Sequence, residues 1–88
     1  MSKISDFLMT GRDNAIPMAD LASMLNLPER AVRREILEAR LRGELILANE
    51  QGYFLSTDQD DLREYIIKKK AFIKTASAAL KPFIKAIR

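Results

Sequence analysis

Apolar positions along the chain follow two different periods, and the change of period organises it. Ile4, Phe7 and Leu8 fall at i, i+3 and i+4, which predicts a short first helix stopped by Gly11. The polar stretch GRDN reads as a turn, and Ile16 before Pro17 as a brief extended piece, since a residue preceding proline avoids the helical region. Leu21, Ala22 and Leu25 give the inner face of a second helix from about Met18 to Leu25. The run NLP ends it: Asn26 tolerates a left-handed conformation, Leu27 is expected to plug the core, and Pro28 suits a helix start. A third helix is predicted from about Glu29 to Arg42, with Gly43 as its C-terminal stop. At about 100° per residue, Val32, Ile36 and Ala39 share its buried face, while Arg30, Arg34, Leu37 and Leu41 lie opposite and Arg33 at the margin.

After Gly43 the period shortens. ELILA and GYFLS are short runs rich in aliphatic and aromatic residues, separated by NEQG, which predicts a β-hairpin. Thr57 is then expected to cap a long helix, with Asp60 completing a capping-box-like pair and Asp58, Asp61 and Glu64 loading its positive dipole end. That helix is predicted to reach about Leu80, some 30 Å at ~1.5 Å per residue, with Pro82 forcing a kink or a break. The expected fold class is mainly α with a small β-hairpin: residues 1–57 as one unit, and the long helix of residues 58–88 as a packing or dimerisation element.

Helix, tight turn, helix and hairpin in that order describe a winged helix-turn-helix. The stretch LASMLNLPERAVRREILEARLRGELI…QGYFLS resembles the winged helix-turn-helix domains of bacterial and phage DNA-binding proteins, including the biotin-repressor type. The resemblance is carried by Leu21-Ala22, Leu25, Arg30, Val32, Ile36, Arg40, Gly43 and Gly52-Tyr53, over about residues 16–56. It implies a transcriptional regulator or accessory DNA-binding factor of a bacterial or phage-infected cell. Its third helix would enter the major groove of double-stranded DNA, with the hairpin tip along the backbone or in the minor groove. The candidate DNA-binding residues are Arg30, Arg33, Arg34, Arg40, Asn49 and Gln51. Guanidinium forks bind guanine edges or clamp phosphate, and a recognition helix reads with its N-terminal half.

Charge leaves a second reading open. Fifteen basic and twelve acidic residues give +3, but residues 28–57 are balanced and the excess of +4 lies in residues 58–88. Glu29–Arg33, Arg34–Glu38 and Glu38–Arg42 are i, i+4 pairs of opposite sign, as in an ordinary solvated helix. Leu37 and Leu41 on the outward arc, and Glu50 at the hairpin tip, fit a protein-interaction or assembly module instead.

In the last third, positions 62, 66, 69, 73, 76, 80, 83 and 87 follow a 4-3 spacing and all but Lys69 are apolar. Folding back on the small core would account for this stripe. Its length favours a homodimer through Leu62, Ile66, Ile73, Ala76 and Leu80. Lysines at 68–70, with Lys74, Lys81, Lys85 and Arg88, read as solvated flanks in preference to a membrane-binding face.

The remaining chemistry is defined by what is missing. There is no cysteine and no histidine, which removes disulfides, thiolate zinc sites and the usual neutral-pH base. The carboxylates cluster at helix starts, where capping explains them, and GRDN lacks the glycine spacing and lysine of a phosphate-binding loop. Neither enzyme activity nor a cofactor or metal is expected. The N-terminal apolar run is too short for a secretory segment and no stretch approaches a membrane span, so a cytoplasmic setting is expected. Met1, Met9, Met18 and Met24 read as core filler.

Overall fold

The computed structural model describes residues 4–87. Met1 and Arg88, given roles in the sequence reading, lie outside the described residues. The chain is mainly helical, with one antiparallel hairpin and a long C-terminal helix, and divides into two compact units, Met1–Asp58 and Gln59–Arg88.

The first unit opens with a 3-10 segment, Ile4–Phe7, where the periodicity predicts a short α-helix, and has a second, Arg12–Asn14, where GRDN predicts a turn. Ile4 and Leu8 are buried as that spacing requires. The helix stops at once because the following backbone is used elsewhere. Met9 O accepts from Leu55 N at 2.9 Å, and Gly11 N donates to Leu55 O at 2.8 Å. A carbonyl and an amide committed to a distant strand cannot also serve a helical ladder.

Helix α1, Met18–Leu25, begins after Pro17 and ends at Asn26, which adopts φ 54°, ψ 47°. The Leu27 amide reaches back to Ala22 O at 3.0 Å, closing the last turn. Leu27 itself stays exposed instead of filling the core. Helix α2, Glu29–Leu41, follows Pro28, whose carbonyl accepts from Ala31 and Val32. It buries Val32, Ile36 and Ala39, the face expected from the sequence. Gly43, at φ +97°, ends it, with Glu44 N bonded to Ala39 O at 3.0 Å. These side chains join Ile4, Leu8, Leu21 and Ile46 in one core, lined further by Phe7, Ile16, Met18, Ala22, Leu25, Tyr53 and Leu55. Of the methionines expected inside, Met18 packs on this core, whereas Met9 and Met24 are exposed.

Strands β1, Ile46–Asn49, and β2, Gly52–Leu55, pair antiparallel, with Ile46 opposite Leu55 and Asn49 opposite Gly52. Two residues, Glu50 and Gln51, make the loop, and neither takes a positive φ. The turn is held by a side chain instead: Asn49 Oδ1 accepts from the amides of Gln51 (2.9 Å) and Gly52 (3.1 Å). The other edge of β2 is paired too. Ile16 and Tyr53 exchange two backbone hydrogen bonds of 2.8 and 2.9 Å. Contact is so close that a Cβ on Gly52 would stand 2.1 Å from the Ile16 carbonyl oxygen. Only glycine fits there.

The second unit is helix α3, Gln59–Ala86. It continues through Pro82, beyond the expected end near Leu80. Proline removes one hydrogen bond, to the Ala78 carbonyl, and four residues of helix beyond it are retained. On the helical wheel Pro82 lies off the apolar stripe, so that its ring does not interrupt the 4-3 spacing. At its start, buried Ser56 accepts the Asp58 amide at 3.1 Å, and the capping position falls at Asp58 instead of Thr57. Leu62 is half-buried; Ile66, Ile73, Ala76 and Leu80 are exposed. Among the described residues no helix is long and apolar enough to cross a membrane.

Candidate nucleic-acid interface

Because Val32, Ile36 and Ala39 fix the buried side of α2, the helical period fixes what it presents outward. Arg30, Arg33 and Arg34 are all exposed in its N-terminal half. Arg33 pairs with Glu29 at 3.7 Å, with both side chains more than half exposed, so solvent screening leaves this contact little strength. Arg30 and Arg34 have no ion pair among the described residues, and their five-donor forks are open to solvent. Further along the same face, Leu37 is 56% exposed and Leu41 78%. The outward surface therefore changes character along α2, from cationic at its start to aliphatic at its end.

Arg40 departs from the sequence expectation. Its Nε donates to Ile46 O at 2.9 Å, its side chain is only partly exposed, and its Nη2 is buried. The guanidinium ties α2 to the first residue of β1. It does so because Arg40 follows buried Ala39 by one position, which turns its side chain along the flank of the core. It belongs to the fold rather than to an outward basic face.

The hairpin tip is also differently built from the expectation of two free polar contacts. Asn49 spends its carbonyl oxygen on the turn, and its Nδ2 lies 3.5 Å from the Arg12 carbonyl. Gln51 and Glu50 remain exposed at the tip. That link brings a further cation beside the hairpin: Arg12 is exposed, where the sequence marks only a polar turn. Nothing local announces this neighbour. It follows from the pairing of Gly11 and Ile16 with β2, which brackets Arg12 between two points on the same strand.

Arg42 meets Glu44 at 3.2 Å, and Ser5 donates to the other Glu44 oxygen. Among the described residues no group of three metal-ligating side chains converges. No protein-family model matches the chain, and no curated protein and no solved structure matches it.

Proposed function

We propose that the protein binds double-stranded DNA through its first unit as a winged helix-turn-helix, serving as a transcriptional regulator or an accessory DNA-binding factor. The observation that carries this reading is the pair of exposed guanidinium groups of Arg30 and Arg34, with no ion pair among the described residues, in the N-terminal half of α2. In this reading α2 enters the major groove, Arg30 and Arg34 meet base edges or phosphates, and Arg33 exchanges its weak contact with Glu29 for a phosphate. The helix start adds the positive end of its dipole. Arg12 and Gln51 at the hairpin would lie along the duplex backbone.

The test is a salt titration of the affinity for duplex DNA by fluorescence anisotropy. Each phosphate contact steepens the dependence of log K on log salt by about 0.9. Arg30→Ala and Arg34→Ala are each expected to weaken binding and, for a phosphate contact, to flatten the slope by about one. Both side chains are solvated, so the fold should survive either change. Unchanged affinity and slope in the double variant would remove α2 as the binding element.

Leu37 and Leu41 support a second reading, in which α2 docks against another protein. That reading gains if duplex affinity is negligible even at low salt.

A further inference from the structure

The 4-3 stripe of α3 has the same spacing on either side of its own midpoint, and large flanking rings on one side of that midpoint face small residues on the other. We infer that α3 pairs with α3 of a second copy of this chain, antiparallel, about a twofold axis between Lys74 and Thr75. This inference is independent of the DNA reading.

Pairing about that axis sets Ile73 against Ala76, Lys69 against Leu80, Ile66 against Phe83 and Leu62 against Ile87 of the second copy, each layer occurring twice. Every layer then holds one residue from each of the two heptad core positions, which is the geometry antiparallel coils require. The flank that precedes each helix's stripe carries Tyr65, Phe72, Ala79 and Ala86. In this register Tyr65 meets Ala86 and Phe72 meets Ala79, so each large ring covers a small residue. The opposite flank sets Arg63 beside Ile84 and Lys70 beside Ser77, with no like-charged neighbours.

A parallel pair fails on the same residues. It would face Lys69 with Lys69, two charges in an apolar seam, and would set Ala76 on Ala76 in one layer and Phe83 on Phe83 in another, small on small and large on large. Antiparallel pairing separates the two Lys69 levels by about 16 Å along the axis at ~1.5 Å per residue. Within its own chain the Lys69 ammonium lies 5.6 Å from the Tyr65 ring centre and 5.8 Å from that of Phe72. The charge therefore leans to the rim, leaving its alkyl stem to cover Leu80 of the second copy. Net charge points the same way: Asp60, Asp61 and Glu64 at one end would approach the end carrying Lys81 and Lys85. These charges sit outside the seam, at distances comparable with the screening length, so side-chain size and Lys69 decide the orientation and charge assists.

The exposed Ile66, Ile73, Leu80 and Phe83 supply the apolar surface that pairing would cover. Sedimentation velocity on the full chain at tens of micromolar is expected to give a dimer. The chain has no cysteine, so Arg63→Cys carries a single spin label per copy. Antiparallel pairing predicts a label separation of about 35 Å by pulsed dipolar spectroscopy, and parallel pairing one under about 20 Å. Ile73→Asp sets a carboxylate in the central layer twice and is expected to weaken dimerisation at least a hundredfold. Should that variant also unfold α3, the label distance in the otherwise native chain still decides. A monomer, a larger oligomer or a short label distance each overturns the inference. A monomer that co-sediments with phosphatidylserine vesicles does so in favour of a membrane surface. None of these measurements contains DNA, so their failure leaves the DNA reading to its own test.

Discussion

Replacing Gly52 by alanine should be the most damaging single-methyl addition among the hairpin and loop positions. The new Cβ would lie 2.1 Å from Ile16 O, 2.3 Å from Ile16 C and 2.6 Å from Pro17 N. All three are backbone atoms, so no side chain can rotate away. Relief requires parting the Ile16–Tyr53 bridge, which forfeits two hydrogen bonds worth about 1 kcal/mol each. Gly52 also holds φ +143°, a conformation that disfavours alanine by about 1–3 kcal/mol. The combined loss is about 3–5 kcal/mol, equivalent to a fall in Tm of at least about 12 °C for a domain of this size. Gly43→Ala is the control. It too has a positive φ, +97°, but nothing lies within 4 Å of its Cβ, so its cost is only the backbone term, about 1–2 kcal/mol. Urea unfolding gives both values, and hydrogen exchange at the Ile16 and Tyr53 amides reports the bridge. If the two variants lose equal stability, or the two amides stay protected in Gly52→Ala, the close approach is not what fixes this glycine.

Further outcomes follow from the same contacts. Arg40→Ala should destabilise the first unit by about 1.5–3 kcal/mol, the range for a charge-assisted hydrogen bond, in urea melts. It should leave the salt slope of any DNA affinity unchanged, unlike Arg30→Ala. Leu21→Ala, at a fully buried position, should cost about 2–5 kcal/mol, whereas Leu41→Ser on the same melts should stay within about 0.5 kcal/mol. Asn26→Gly should be nearly neutral, and Asn26→Ala should lose about 1–2 kcal/mol, because the position is left-handed.

Much of the first unit is legible in the sequence because local signals and burial agree there. Helix α1 and the buried face of α2 follow directly from apolar spacing, and Asn26 and Gly43 mark their ends by conformational preference. The misreadings share a cause in contacts distant along the chain. Ile4 and Leu8 do face the core, but no helix forms beyond Phe7, since Met9 and Gly11 are recruited by Leu55. Arg40 carries the same charge as Arg34, but its place beside buried Ala39 and the arrival of β1 at its flank tie it into the fold. Arg12 reaches the hairpin by the same long-range pairing. Pro82 is a local signal that misleads: four remaining residues retain the helix despite its missing donor. Among the candidate interface residues, then, exposure is readable from helical phase, and participation in the fold is not.

The hairpin is paired along the outer edge of β2, tied at the first residue of β1 by Arg40, and closed at its tip by Asn49. In the proposed DNA-binding reading, such a finger would arrive at the duplex already shaped. It would then give up little motional freedom on contact, so little of the contact energy would be diverted to ordering it. The corollary is intolerance: a surface of the wrong curvature would meet a rigid obstacle rather than an accommodating loop, and discrimination would come from that refusal.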